Sequence, residues 1–328
     1  MKATLLERLV CPVCGERLTL APPEEGLACA GCGRAYPIVA GVPRLLPDRH
    51  PEAEVTVSTR RRYDFAWRRF GAREIQESWE KDSIAYLSLI PRDLFGGPGA
   101  VGLEAGCGGG ADLRRLGATA AEIVGVDVSA GVESARMATA HLPNVHVVQA
   151  DIRRLPFAPG TFDFAYSFGV LHHLARPLEG MRALARLLKP GAPLVTYLYD
   201  DFADRTRAER AALTAVRAAR TVTSRLPAGV LLPLCWLGVP LVWTAFSVPA
   251  RLLRRRLPRV AARLPFRHTL RWPVLASDLF DRFSPRMEHR YSRQGVIALY
   301  RAAGFERVET RPYRGWVSWG FKSHEGGA

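Results

Sequence analysis

Three acids punctuate the middle of this 328-residue chain, and each closes an apolar run. Glu104 follows Val101-Gly-Leu103, Asp127 follows Ile123-Val-Gly-Val126, and Asp151 follows Val145-His-Val-Val-Gln-Ala150. Glycines trail the first acid at positions 106, 108 and 110. Such a turn lets a ligand approach the backbone closely, and an acid at a strand tip can accept hydrogen bonds from both hydroxyls of a ribose. The spacing G-x-G-x-G departs from the dinucleotide fingerprint and lacks the Gly-Lys-Ser/Thr of a phosphate loop. Alone, each acid would serve as a helix cap or a solvated loop residue; their recurrence in register carries the argument.

A second constellation lies near the start. Cys11-Pro-Val-Cys14-Gly15 is followed by Cys29-Ala-Gly-Cys32-Gly33, with 14 residues between Cys14 and Cys29. Paired C-x2-C knuckles with trailing glycines predict a tetrahedral zinc site. Four thiolates leave no open coordination position, so the metal is expected to be structural. Two disulfides are the competing reading, disfavoured because no secretory signal precedes the knuckles and Cys107 and Cys235 read as buried and unpaired. A third group could move protons. His172-His173 follows the run Phe162-Asp-Phe-Ala-Tyr-Ser-Phe168, and His289 and Tyr291 lie in Ser284-Pro-Arg-Met-Glu-His-Arg-Tyr-Ser292. An imidazole titrates near neutrality and suits a general base; the bland alternative is that the His pair caps or packs the next helix.

These residues need a scaffold. The three acid-tipped runs, Phe162–Phe168 and Pro193–Tyr199 read as strands, with helices at about 111–116 and 177–188 between them. Alternation of this kind predicts a parallel sheet with right-handed crossovers and a ligand at the strands' carboxyl ends. Ser292 is a candidate N-cap for a helix over 293–303, and 305–310 and 316–321 read as strands completing the same sheet.

With those elements in place, residues 63–200 and 285–322 resemble a class I S-adenosylmethionine-dependent methyltransferase of the type 11 family. The matching stretches are Glu104-Ala-Gly-Cys-Gly-Gly-Gly110, Gly125-Val-Asp-Val-Ser129, Gln149-Ala-Asp-Ile152, Phe162 to His173, and Leu188-Lys-Pro-Gly191. The resemblance implies a Rossmann-like α/β fold, parallel with an antiparallel last strand, and S-adenosylmethionine as cofactor. It implies that Gly106 and Gly108 face the methionine part with Glu104 near its amino group. Asp127 would hold the ribose, Val128 the adenine face, Asp151 and the Ile152 amide the adenine edge, and Ser167 and Phe168 the floor near the sulfonium. Tyr63 and Trp67 begin a helical segment that covers the cofactor pocket in this family, which implies Tyr63 as a cofactor-binding residue and Trp67 as a further contact. No Asn/Asp-Pro-Pro-aromatic tetrad follows the fourth strand, which lowers the expectation of a planar amino acceptor. The stretch 5–47 resembles the small zinc-ribbon activator subunit of tRNA and release-factor methyltransferases, implying a stabilising or substrate-positioning arm.

The expected domain plan is a zinc-ribbon module at 1–47, a linker at 48–62, the cofactor-binding core at 63–200, an insertion at 201–284, and a closing helix and strands at 285–328. The insertion is the odd piece. The chain has a net charge of +15, and residues 200–275 hold 14 arginines, no lysine and four acids. Inside it, residues 226–250 carry no charge and are flanked by arginines. That length could span a bilayer, but one crossing would strand the last sheet strands on the wrong side. Prolines at 227, 233, 240 and 249 are expected to interrupt any straight helix. The segment therefore reads as a broken helical pair in a membrane interface or as an apolar cap.

The leading expectation is a cytoplasmic, membrane-associated enzyme methylating an oxygen or carbon of a small apolar or lipid-linked molecule. His172, His173, His289 and Tyr291 are its candidate catalytic residues. An anionic membrane surface is a candidate partner through 226–263, and nucleic acid is not expected. The alternative is an RNA- or protein-modifying methyltransferase that uses the ribbon and the basic surface; a non-catalytic scaffold stands third. Oligomeric state is not legible.

Overall fold

The computed structural model describes residues 3–22, 26–46, 57–58, 60–70, 85–118, 122–262 and 264–324. Most of the expected linker lies outside them. Backbone packing divides the chain into one unit drawn from Met1–Val57, Tyr86–Asp201 and Met287–Ala328, and a second from Ser58–Ala85 and Phe202–Arg286.

The first unit opens with helix α1 (Ala3–Arg8) and a small antiparallel sheet of β1 (Leu18–Ala21), β2 (Gly26–Cys29), β3 (Ala35–Val39) and β4 (Val42–Pro43). Glycine is required at each knuckle. Gly15 and Gly33 have φ of 81° and 69°, and their N–H groups return to the Cys11 and Cys29 carbonyls at 2.9 Å. The module does not close its own core: Leu5, Leu9, Leu27 and Leu45 share one apolar cluster with Val148, Leu155 and Phe157. That sharing follows from size, because so short a segment buries too little by itself.

The main sheet contains β5 (Val101–Ala105), β6 (Glu122–Asp127), β7 (Val145–Gln149), β8 (Phe164–Phe168), β9 (Pro193–Tyr199), β10 (Phe305–Pro312) and β11 (Gly315–Lys322). Their order is β10-β11-β9-β8-β5-β6-β7. Strands β5 to β9 pair in parallel, while β11 lies antiparallel between β9 and β10. This is the expected Rossmann-like methyltransferase sheet. The central strands are buried on both faces, which is why they read as unbroken apolar runs. Helices α3 (Ala111–Leu116), α4 (Gly131–Ala138), α5 (Pro177–Leu187) and α11 (Arg293–Ala302) belong to this unit. Ser292 caps α11 as expected, accepting from the Gly295 N–H at 3.1 Å. Strand order reverses where β5 meets both β6 and β8, and a crevice at the carboxyl end of that point is where such sheets bind ligands.

The second unit is helical. Residues 60–70 form α2; α6 (Arg207–Thr223), α7 (Ala228–Val242), α8 (Val248–Leu253), α9 (Pro258–Ala261) and α10 (Trp272–Phe283) follow later in the chain. Phe65 and Phe70 of α2 pack on Phe280, and Leu231, Cys235 and Val239 of α7 pack with Leu275 and Leu279 of α10. The expectation of a broken helical pair is corrected here. Residues 228–253 run as one helical stretch with Pro233, Pro240 and Pro249 inside it, and a wider π turn at Trp243–Ser247 lies just before Pro249, where that proline removes a donor from the Ala245 carbonyl. By length and composition that stretch could cross a membrane, though core helices meet the same criterion.

Candidate active site

The acids arrive at one edge because each is the last residue, or nearly so, of its strand: Glu104 on β5, Asp127 on β6, Asp151 just past β7. After Glu104 the chain turns on Gly106, whose φ is 88° and whose missing Cβ would fall 2.2 Å from Val170 Cγ2. The Gly106 and Cys107 amides both reach the Val126 carbonyl, at 2.7 and 3.0 Å, tying the loop to β6.

Glu104 is buried, and its Oε2 has no hydrogen-bond partner among the described residues. Burial, then Asp112 and Asp127, push its carboxyl well above the usual carboxylate range. A buried, unpaired carboxyl beside two more acids is a place prepared for a cationic donor. Asp127 is already at work: its Oδ2 accepts from the Gly108 N–H at 2.9 Å and its Oδ1 from the Ser129 N–H and O–H at 2.8 and 2.6 Å. Each carboxylate oxygen keeps acceptor capacity beyond these bonds. The Val128 carbonyl accepts from the Gln149 side-chain amide at 3.1 Å. Asp151 caps the short turn Ile152–Arg154 and is gripped through both oxygens by the Arg153 guanidinium, at 3.0 and 2.6 Å.

Ser167 is fully buried and donates to the Ala105 carbonyl at 2.9 Å, pinning β8 to β5. Phe168 stacks between Tyr86 and Tyr197, with ring centroids 3.2 and 4.4 Å away. Tyr86 and Tyr166 both donate to Asp112 Oδ2, the latter at 3.0 Å. Of these, Tyr86, Asp112 and Arg153 lie outside the motif stretches, and Tyr166 lies inside one without a role that its spacing assigns, so none of their contacts was legible in the sequence.

The four candidate catalytic residues come together. The His289 N–H donates to the His172 carbonyl at 2.8 Å, and the Tyr291 N–H to the Tyr199 carbonyl at 2.8 Å. His173 Nδ1 meets the Met287 carbonyl at 2.8 Å. Burial, then His173, Arg290 and His289, hold His172 well below the ordinary imidazole range, which favours its uncharged form. Burial pushes the Tyr291 phenol up to about 12, which removes it as a base near neutral pH. Tyr199 and Arg290 join the group: the Tyr199 ring lies 3.9 Å from the His172 ring, and the Arg290 guanidinium 5.0 Å from Tyr199. The period of β9 was the available signal, since Tyr197 and Tyr199 must share a face. Tyr63 and Trp67 lie on α2, in the other unit.

The cysteines form the second site. Tetrahedral thiolates about 2.3 Å from zinc stand about 3.8 Å apart. Here the four sulfurs lie within 4.8 Å of one another, with Cys11–Cys32 at 3.6 Å and Cys14–Cys29 at 3.3 Å. The Tyr36 hydroxyl lies 3.3 Å from the Cys11 sulfur as a further polar neighbour. Donor set and spacing fit a structural zinc ion.

Residues 103–196 match the family model described as a methyltransferase domain, and residues 2–41 match that of a Trm112p-like protein. The chain carries a methyltransferase domain behind a Trm112p-like module. An uncharacterised 37.1 kDa protein in a transposon of Streptomyces fradiae is 37% identical over 115 residues, 34% of this chain and 33% of that one. A tRNA U34 carboxymethyltransferase of Pseudoalteromonas atlantica is 35% identical over 97 residues, 28% of this chain and 30% of that one. A ubiquinone biosynthesis O-methyltransferase of Albidiferax ferrireducens is 28% identical over 133 residues, 39% of this chain and 50% of that one. The chain thus spans about a third of the first two and half of the third. These findings overturn the expectation that the partner is a small apolar molecule and nucleic acid is not one: the Trm112p-like match accompanies several relatives named as tRNA-modifying enzymes. The anionic membrane surface, read from the arginines that flank residues 226–250, draws no support from these relatives' names.

Proposed function

We propose that the chain is an S-adenosylmethionine-dependent methyltransferase that acts on tRNA in the cytoplasm. The observation that carries the cofactor is Glu104, a buried carboxyl without a partner at the head of a glycine loop. The residues fit the group: Glu104 would meet its amino group, Asp127 its ribose, and Val128, Asp151 and Ile152 its adenine. When bound, the cofactor supplies an already activated methyl group, so alignment is the main demand on the protein. The chain's part is to close Gly106 and Gly108 over one end, hold the ribose through Asp127, and present Phe168 and Ser167 as a rigid floor.

The tRNA part rests on the relatives and on charge. Residues 210–277 hold twelve arginines and no acid. Arg251, Arg254, Arg255, Arg256 and Arg259 are exposed, and none has an ion-pair partner among the described residues. Phosphate contacts of that kind give RNA affinity that falls steeply with salt. The test is transfer of labelled methyl from S-adenosylmethionine to a pool of unmodified tRNA transcripts by zinc-replete protein. We expect incorporation that Asp127→Ala abolishes; S-adenosylmethionine binding without incorporation into any tRNA would overturn the acceptor, and no binding would overturn the whole reading.

A further inference from the structure

The acceptor side of the site holds hydrogen-bonding capacity that the fold does not use. His172 is fully buried, yet neither ring nitrogen has a partner among the described residues. The Tyr197 carbonyl approaches the ring without meeting hydrogen-bond geometry. His289 Nε2 is likewise buried and unpartnered. Buried polar atoms are nearly always satisfied, so unsatisfied ones mark a missing ligand group or water. The bond between the His289 amide and the His172 carbonyl fixes the two residues side by side. Neighbouring His173 is different, because the Met287 carbonyl already occupies its Nδ1.

The chemistry of the missing group can be narrowed. Neutral imidazole offers one donor and one acceptor, which matches an uncharged group carrying both. Arg290 does not convert the pocket into an anion site, since its guanidinium is given to Glu288 at 2.6 Å and to the Asp200 carbonyl at 3.0 Å. Against the imidazoles pack rings. Phe168 lies 4.4 Å from Tyr197, Tyr197 is 5.9 Å from Tyr199, and the Tyr199 ring is 3.9 Å from that of His172. A neutral donor and acceptor so backed suit the polar edge of a flat heterocycle.

We infer that His172 and His289 are the recognition edge of the acceptor site, hydrogen-bonding the polar edge of a nucleobase turned out of its stack, with the packed rings of Phe168, Tyr197 and Tyr199 as the rigid backing that holds the two imidazoles in place. The inference rests on the tRNA reading above. It follows that the protein takes its base singly, because atoms inside a helical stack cannot reach a cofactor at the strand tips.

The test compares wild-type protein with His172→Phe and His289→Phe, which keep a ring and lose the nitrogens, and with His289→Asn, which restores a donor and acceptor. Methyl transfer to unmodified tRNA transcripts should fall about ten- to a hundredfold in kcat/KM for each Phe variant, and His289→Asn should recover part of it. S-adenosylmethionine affinity and the salt dependence of tRNA binding should not move, which separates recognition from general damage. As His172→Phe risks the fold, a second measurement uses wild-type protein: the imidazole 15N resonances of His172 and His289 should shift when tRNA is added to the S-adenosylhomocysteine complex. Wild-type kcat/KM in folded His289→Phe, or resonances unmoved by tRNA, would overturn the pocket while leaving the tRNA reading intact. Absence of transfer to tRNA by wild-type protein would overturn that reading and the inference with it.

Discussion

Glu104, placed above at the cofactor's amino group, is where the proposal meets charge and pH. Its carboxyl is raised because burial and two neighbouring acids oppose ionisation, so the free protein holds a proton there that a cationic ligand must expel. Two results should follow. Calorimetry of S-adenosylmethionine in buffers of different ionisation enthalpy should show proton release, and affinity should rise with pH through the raised value. Glu104→Gln should remove both effects and weaken binding by about 1.5–3 kcal/mol, the usual worth of a hydrogen bond to a charged group; an unchanged pH profile would refute the assignment. The same raised pKa acts on the unliganded fold. Stability from this residue is present below the ordinary carboxyl range and is lost as pH rises through the raised value. At this scale the sequence was readable where a residue type recurred at a fixed structural position, as the three acids do. It was silent where partners are distant or unpatterned. Arg153 holding Asp151 and Tyr86 reaching Asp112 depend on side-chain directions that spacing does not encode.

Among the elements, the zinc module is tied to the sheet by more than apolar packing. The Leu45 N–H donates to the Gln149 carbonyl at 2.8 Å, extending the sheet past its edge strand β7. Arg44 reaches the Gln149 side chain at 3.4 Å and Glu133 at 3.3 Å. The Gln149 amide in turn holds the Val128 and Ser129 carbonyls at 3.1 and 3.4 Å, on the loop that carries Asp127. At the other end, Arg8 grips Glu122 through two bonds of 3.1 and 2.7 Å, with His146 3.1 Å from the same carboxylate. Stripping zinc should therefore weaken S-adenosylmethionine binding as well as unfold the module, since metal binding and folding are linked in domains this small. Gln149→Leu separates the two: zinc content should stay at one per chain while cofactor affinity falls about tenfold, the scale of one or two missing hydrogen bonds. Unchanged affinity in that variant would mean that the module stabilises the fold without reaching the cofactor. The knuckles were legible because metal ligation fixes cysteine spacing. The docking was not, because Leu9 meets Phe157 across nearly half the chain. The proline-bearing helix misled in a related way: counting prolines captures the hydrogen bonds they remove, whereas a π turn can absorb the misfit without ending the helix.

The whole molecule carries a net charge of +15, and its arginines are concentrated rather than dispersed. Charge of this kind is fully visible in a sequence, but its partner is not, because phosphate on RNA and phosphate on lipid present the same chemistry to a guanidinium. The exposed run Arg254-Arg-Arg256 offers the sharpest discrimination. Converting all three to Gln should leave the fold untouched, since exposed side chains without ion-pair partners contribute little to stability. It should also leave S-adenosylmethionine affinity unchanged, as the cofactor-holding residues proposed above include none of them. Binding of tRNA transcripts should weaken, and the slope of log affinity against log salt should become shallower by about 0.7–0.9 for each phosphate no longer neutralised. A base-recognition defect such as His289→Phe should do the reverse, lowering methyl transfer at an unchanged salt slope. Measuring both variants across a salt series therefore tests a division of labour: arginines that place the RNA backbone, and imidazoles that select the base. If the triple variant kept the wild-type slope, those arginines would have no share in placing the RNA, and its electrostatic footprint would have to be sought on the remaining basic surface.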